Sequence, residues 1–418
     1  MAKLNKSLLN GSIILLITFN IFNFLNFVFQ FTMVRMLSVA EYGILGGIFL
    51  IVYIFTTFIE AIQTIITKFT SNENNLGKLK NLLKRALKKA YFFAAVFYIF
   101  YLIIAIFLSY LTKIDYILFA LTGLLIFAVL IIPINRGAMQ GRKMFGSLGA
   151  NLIIEAVSKI VIAVLLVYAF STFYPELKLY GAIFGLVAGA GIAAALSYVS
   201  LIKILKSKEE RIHIPDIYTY SLPVFIATLA IVAFYSIDVF IANIFFEKEI
   251  AGYYAIASIL SKIIFWGTVP ISKAMFPISS ENSTTKFSPN VFLNALGLLL
   301  SCIFIALIMM YFFSDLIIRV FSGDFIPESS EILIYTASAL GLISLANLIL
   351  LYKLSIGHTS RYFHLLWLVV IEIILLSVFS DTIMIFSLAY LASAAIFFIG
   401  SLFILKPLKS RAPHLHTH

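Results

Sequence analysis

Charge is scarce in this chain: 12% of its 418 residues are Asp, Glu, Lys or Arg, where soluble domains carry about a quarter. With 62% hydrophobic residues and a mean hydropathy of +1.06, the polar side chains cannot cover a water-soluble globule. Cysteine is almost missing. Cys302 stands alone in an apolar run, which excludes an internal disulfide framework or a multi-cysteine metal site. No cleavable leader is evident either, because the first apolar run, 12–33, is about 22 residues long and lacks a small-residue cleavage site. It reads as a first membrane span. Acids are fewer than bases, 19 against 30, which leaves a net charge of +11.

What the chain does have is apolar length and aromatics, with 41 Phe and 21 Tyr suited to lipid contact and membrane interfaces. A span takes about 20 apolar residues. That rule places twelve near 12–33, 43–67, 91–111, 116–134, 149–171, 180–202, 219–245, 251–272, 290–313, 332–352, 362–379 and 383–405. The stretch 314–331 is too short to fold alone and reads as an interfacial helix.

Alternate connections differ sharply in charge. One set holds 23 Lys and Arg, including Lys78, Lys80, Lys84, Arg85, Lys88 and Lys89 in a 68–90 loop. The other holds Arg35, Lys113, Lys178, Lys248 and Arg319. The positive-inside rule then makes both termini cytoplasmic in a multi-pass protein of the cell membrane. The basic run 78–89 reads as a loop beside anionic lipid headgroups, with no nucleic-acid partner. The His-containing tail 412–418 reads as unstructured rather than as a metal site.

The chain reads as duplicated. Glu41-Tyr42-Gly43-Ile44-Leu45, opening span 2, is echoed by Ile250-Ala251-Gly252-Tyr253-Tyr254, opening span 8. After spans 4 and 10, Gln140-Gly141-Arg142-Lys143-Met144-Phe145 is echoed around Gly357 and Tyr362-Phe363. The offsets, 209 and 216 residues, are half the chain, and an even number of spans per half makes the repeats parallel. The expected lobes are 1–211 and 212–411, six helices each, around a central cavity.

Polar side chains at membrane depth are functional candidates. On span 1, Ser12, Asn20, Asn23, Asn26 and Gln30 share an arc of about 120°. On span 2, Tyr53, Thr56, Thr57, Glu60, Gln63, Thr64 and Thr67 form a second stripe. Each stripe is either a wet wall or helix-to-helix glue. Span 7 carries Tyr220, Tyr235 and Asp238 on one face, and span 8 carries Ser258, Lys262 and Trp266 at i, i+4, i+8. Lys262 lies about 16 Å from the outer end, so it is either a cation for an anionic substrate or half of a structural pair with Asp238. Glu155 and Lys159 on span 5 stand at the spacing of an intrahelical ion pair, with a substrate role for Lys159 as the other reading. Glu372, the single acid of span 11, is a protonatable coupling group or a neutral, hydrogen-bonded one. Glu60, Asp238, Glu372 and Glu155 are the ion-coupling candidates. Arg35 is expected to snorkel to the interface.

These residues resemble the Wzx-type O-antigen flippases, the polysaccharide branch of the multidrug/oligosaccharidyl-lipid/polysaccharide (MOP) exporter superfamily. The resemblance rests on Arg35-Met36-Leu37-Ser38-Val39-Ala40-Glu41-Tyr42-Gly43, Gly137-Ala138-Met139-Gln140-Gly141, Asp238 with Gly252-Tyr253-Tyr254-Ala255, and Phe321-Ser322-Gly323-Asp324-Phe325. It implies an all-α, MATE-like fold of two six-helix lobes whose cavity is lined by spans 1, 2, 7 and 8. It also implies a monomeric, cofactor-free flippase for a polyprenyl-linked oligosaccharide, working by alternating access, with H⁺ or Na⁺ as the coupling ion. Glu60 departs from the pattern, which usually has a small residue there. Lipid II flippases look alike but usually carry two further spans.

Substrate contacts are expected from Lys262, Lys159, Asn23, Asn26, Gln30, Tyr53, Ser258 and Trp266. A cation-coupled drug or metabolite antiporter of the same superfamily is the alternative, since such substrates want acids where phosphate wants bases. A membrane-embedded glycosyltransferase or polymerase would need metal-holding acids on a large external loop, and no external connection contains Asp-x-Asp. The chain is therefore not read as an enzyme, and a scaffold would have no reason to line four helices with polar groups.

Overall fold

The computed structural model describes residues 6–211, 218–282, 289–356 and 361–404. The expectations placed on the 412–418 tail and on Gly357 lie outside them, as do the side chains of Ser12 and Tyr220.

Everything regular among the described residues is helical. The order is α1 (Lys6–Met36), α2 (Val39–Asn72), α3 (Leu76–Thr112), α4 (Tyr116–Gly123), α5 (Leu125–Gly141), α6 (Phe145–Phe173), α7 (Lys178–Ser200) and α8 (Ile202–Leu205). There follow α9 (Tyr218–Phe245), α10 (Lys248–Asn282), α11 (Pro289–Phe312), α12 (Ser314–Ser322), α13 (Pro327–Ser355), α14 (His364–Val378) and α15 (Ile383–Phe403). Among the described residues eleven helices are long and apolar enough to cross a membrane, with α4 and α5 counted as one and α14 as a shorter apolar helix beside them. These account for the twelve expected spans. Only helices satisfy their own backbone in hydrocarbon, so such a sequence has no other regular option short of a closed barrel.

Local chemistry explains the breaks. Between α1 and α2 the Ser38 hydroxyl accepts from the Glu41 amide at 3.3 Å, and the Glu41 carboxylate accepts from the Ser38 amide at 2.7 Å. This capping box starts α2 within two residues of the end of α1. Asn75 starts α3 by accepting from Gly77 and Lys78, and Asp115 starts α4 by accepting from Ile117. The stretch 314–331, expected to be an interfacial helix, holds the short helix α12 and the start of α13.

One expectation needs correction. The basic run 78–89 is the first part of α3 and not a loop; Leu79, Leu82, Leu83 and Leu87 are buried on one face and Lys84, Arg85, Lys88 and Lys89 are exposed. Arg35, expected at the interface, is exposed at the end of α1; its guanidinium donates to the carbonyls of Val320 and Phe321 and lies over the Phe31 ring, so it satisfies the last turn of α12.

The chain forms two compact units. The first comprises Met1–Ile217, Ala242–Ile256 and Arg319–Asp324, and the second Tyr218–Ile241, Ala257–Ile318 and Phe325–His418. In the first, α6 packs along α7 and α1, and α5 packs along α2 and α3. The glycines that the repeat matched, Gly43 and Gly252, meet here: a Cβ on Gly43 would lie 2.7 Å from the Gly252 nitrogen. Glycine at both positions lets α2 and the start of α10 touch backbone to backbone. A strap, residues 207–210, crosses the start of α3. Lys80 donates to the Ser207 carbonyl at 2.7 Å, Asn81 and Lys84 hold Glu209, and Asn75 holds Glu210. The Lys84 and Asn81 hydrogen bonds hold the Glu209 carboxyl below its ordinary pKa. In the second unit α13 packs along α15 and α11, and α14 packs on α15.

Candidate functional site

The polar residues of the first unit sort into three groups. The first is glue. Gln63 Nε2 donates to Gln140 Oε1 at 2.8 Å, Thr67 donates to the Gly137 carbonyl at 3.2 Å, and Thr70 is buried against the same carbonyl. This lower part of the span 2 stripe ties α2 to α5, because buried amides and hydroxyls in a membrane must find partners on a neighbouring helix. Thr56, Glu60 and Thr64 of the same helix are exposed, Thr57 is buried, and Tyr53 packs half-buried on Phe49 with ring centroids 5.4 Å apart.

The second group is an ion-pair network inside α5, α6 and α7. Arg136 is 4% exposed and donates to Asn151 Oδ1 at 2.8 Å and to Glu155 Oε2 at 2.5 Å. Asn151 in turn donates to the Ala193 carbonyl at 2.8 Å. Glu155 therefore does not close the i, i+4 ion pair with Lys159. An arginine fork bonds the amide and the carboxylate at once, which a lysine cannot match. Arg136 carried no spacing signal toward Glu155, although a lone cation at the end of a span was itself a clue.

The third group is the substrate candidate. Lys159 Nζ donates to Asn26 Oδ1 and sits 5.0 Å from the centroid of the Phe29 ring. Asn26 is half-buried and donates its own amide to the Phe22 carbonyl at 2.9 Å. Asn20 and Asn23, further along the same face of α1, are exposed. Gln30, by contrast, is buried and accepts from the Tyr42 hydroxyl at 3.3 Å. Gly189 of α7 lets Lys159 pack close, since a Cβ there would lie 2.7 Å from the Lys159 Cβ. Among the described residues no carboxylate comes within ion-pair distance of Lys159, whereas Arg136 and Lys262 each have one.

In the second unit the structure brings Asp238, Ser258, Lys262 and Glu372 together. Lys262 Nζ donates to Asp238 Oδ1 at 3.3 Å, and the Ser258 hydroxyl donates to Oδ2 of the same carboxylate. Lys262 is 2% exposed and Asp238 0%, so this cation is buried and paired, not presented on a wet face. Ser261 and Thr336 exchange a hydrogen bond at 2.7 Å beside it, and Trp266 is half-buried one turn further along α10. Glu372 is fully buried and neither carboxyl oxygen has a hydrogen-bond partner among the described residues. No group of three His, Cys, Asp or Glu able to hold a metal occurs among the described residues.

Three comparisons bear on these units. The family model described as polysaccharide biosynthesis protein matches residues 8–283. No curated protein matches the chain. Among solved structures, an inward-facing multidrug resistance MATE family transporter of the MOP superfamily superposes with TM-score 0.71 at 11% identity. That match covers 90% of this chain and 93% of the other. The lipid II flippase MurJ in an inward closed conformation gives TM-score 0.68 at 16% identity, covering 94% and 87%. A MOP superfamily transporter from Pyrococcus furiosus, whose binding pocket is described as of reverse polarity, gives 0.59 at 12% identity over 95% of each chain. At such identities the likeness speaks for the fold, and the fold is that of the MOP superfamily.

Proposed function

The chain belongs to the polysaccharide biosynthesis protein family, and from that premise we propose that this multi-pass membrane protein is a flippase for a polyprenyl-phosphate-linked oligosaccharide. The observation that carries the reading is Lys159. It is a cation on a membrane-spanning helix whose partners among the described residues are an amide and an aromatic ring. A cation held at that depth with no carboxylate in ion-pair contact is costly, since Glu155, which acts on it through space, is bonded to Arg136, and a phosphate that arrives with the substrate supplies a close opposite charge. The exposed amides of Asn20 and Asn23 on α1 offer donors and acceptors of the kind sugar hydroxyls require. A MOP fold shared with a lipid II flippase supports the same substrate class. An antiporter for organic cations would present acids; the Glu155 and Asp238 carboxylates are engaged by Arg136 and Lys262, which leaves Glu60, exposed on α2, as the acid that would serve that reading.

The protein exposes its site to one face of the membrane at a time. Both termini and the basic start of α3 lie on the cytoplasmic side, where the substrate is loaded. No bond of the substrate is made or broken, so the chain acts as a transporter and not as an enzyme.

Lys159→Ala tests this. A charge-assisted hydrogen bond to phosphate is worth about 1.5–3 kcal/mol, so substrate affinity should fall about 10- to 150-fold. Flipping of a lipid-linked oligosaccharide in proteoliposomes should fall with it, while Lys159→Arg retains part of it. Unfolding temperature in detergent should stay unchanged or rise, because the substitution removes a charge that has no carboxylate in ion-pair contact. Wild-type flipping by Lys159→Ala would exclude the assignment.

A further inference from the structure

Glu155 and Lys159 lie one turn apart on the same face of α6, near enough for their side chains to meet. Glu155 acts on the Lys159 ammonium through space, yet its carboxylate is not in contact with it. What draws the carboxylate away comes from another helix. Arg136 of α5 donates to Glu155 Oε2 at 2.5 Å and, from Nε, to Asn151 Oδ1 at 2.8 Å.

That hold is anchored. Asn151 is buried and gives its own amide to the Ala193 carbonyl of α7 at 2.8 Å, which leaves its oxygen for the arginine. A planar guanidinium fixed at Nε by an anchored amide can aim its remaining donors in few directions, and here they meet the carboxylate. Lys159 is drawn to a different helix, because it donates to Asn26 Oδ1 of α1 while the Asn26 amide donates to the Phe22 carbonyl. Acid and base on one face of α6 are thus held apart by partners from α5, α7 and α1.

Two cations compete for one carboxylate. Arg136 brings a buried, pre-aimed fork, and Lys159 a point charge on a flexible stem. The arginine wins while it is present, and its removal leaves Lys159 as the cation one turn away. We propose that Arg136 is a positioning residue for the Lys159 site: it holds Glu155 aside so that the ammonium meets a phosphate from outside the chain and not the acid of its own helix. A carboxylate seated on that ammonium would take one of its donors and repel an arriving phosphate. Arg136 therefore sets the affinity of a site that it does not touch. The ligand half of this proposal rests on the phosphate reading of Lys159; the exchange of partners at Glu155 does not.

Two measurements on the full chain in detergent test it. The first needs no substrate. In the native background Lys159→Ala leaves the unfolding temperature unchanged or raises it. In an Arg136→Met background the same substitution should lower it, because Lys159 is then the partner of Glu155. Adding Glu155→Gln should abolish that fall. Lys159→Ala acting alike in both backgrounds overturns the proposal, whatever the site binds. The second is titration with farnesyl phosphate. Arg136→Met should weaken binding about tenfold, the low end for one competing charge-assisted hydrogen bond, and Arg136→Met with Glu155→Gln should return it to within about threefold of native. Arg136→Lys, which keeps a charge beside Glu155, should bind more tightly than Arg136→Met. Native affinity in Arg136→Met overturns the proposal, and so does a double variant as weak as Arg136→Met alone. Lys159→Ala that binds farnesyl phosphate like the native chain overturns the phosphate reading itself, and the thermal reversal still upholds or overturns the hold of Arg136 on Glu155. If Arg136→Met does not fold, Arg136→Gln, polar but uncharged, carries both comparisons.

Discussion

At the scale of single residues, partner choice decides what each charge does. Lys159 and Glu155 stand four residues apart on α6, a spacing that favours an ion pair, yet Arg136 takes the carboxylate. Its fork also bonds Asn151, which is anchored to the Ala193 carbonyl of α7, so one guanidinium joins three helices. Arg136→Met should strand the Glu155 carboxylate and destabilise the protein by about 3 kcal/mol, the low end for breaking a buried pair, since Glu155 keeps some exposure. Adding Glu155→Gln should recover most of that loss in thermal melts. A double variant no more stable than the single one would trace the cost to lost packing around the arginine stem.

How much of this was legible differs by residue. For Lys262 the sequence offered two readings, a pair with Asp238 or a cation for substrate, and the structure places its ammonium against Asp238. The Arg136 network was not readable, because nothing in one sequence tells which neighbouring helix meets which face. The same lack of information left both span stripes undecided. Gln63 and Thr67 proved to be glue while Asn20 and Asn23 are exposed.

At the scale of elements, small residues set how closely helices approach. Gly181, Gly185 and Gly189 recur every four residues on α7 and face α6, where a Cβ on Gly185 would lie 2.5 Å from the Ala163 Cβ. Association inside a membrane gains little from the hydrophobic effect, so such close packing carries much of the stability. Gly185→Leu should cost about 1–3 kcal/mol as an overpacked contact. Gly191→Leu, where no atom lies within 4 Å, should be near neutral. Equal unfolding temperatures for the two variants would refute the contact. The i, i+4 glycine spacing was visible in the chain, but its partner helix was not. α3 illustrates the opposite limit. Hydropathy located its membrane part at 91–111, while the helix begins at Leu76, because a span window detects lipid-facing residues and ignores an amphipathic helix that continues into water.

At the scale of the whole molecule, the distribution of Lys and Arg sets the topology proposed above. After the exposed native Cys302 is replaced by Ala, single cysteines at Lys84 and Phe173 provide the measurement. Both positions are exposed. In intact cells an impermeant thiol reagent should label the cysteine at position 173 and miss the one at 84. The reverse pattern would invert the orientation.

The sequence by itself determined the number of membrane helices, their approximate limits and the family. Those features follow from apolar length, charge asymmetry and local motifs, all of which are properties of neighbouring residues. Only the tertiary structure decided which polar groups find partners. The buried Lys262 is neutralised by Asp238, the cation on α6 contacts an amide and a ring, and Glu372 is buried with no hydrogen-bond partner among the described residues. The reason is physical. Desolvation and pairing depend on distances between helices, and a helix's own periodicity says which side is polar without saying what that side meets.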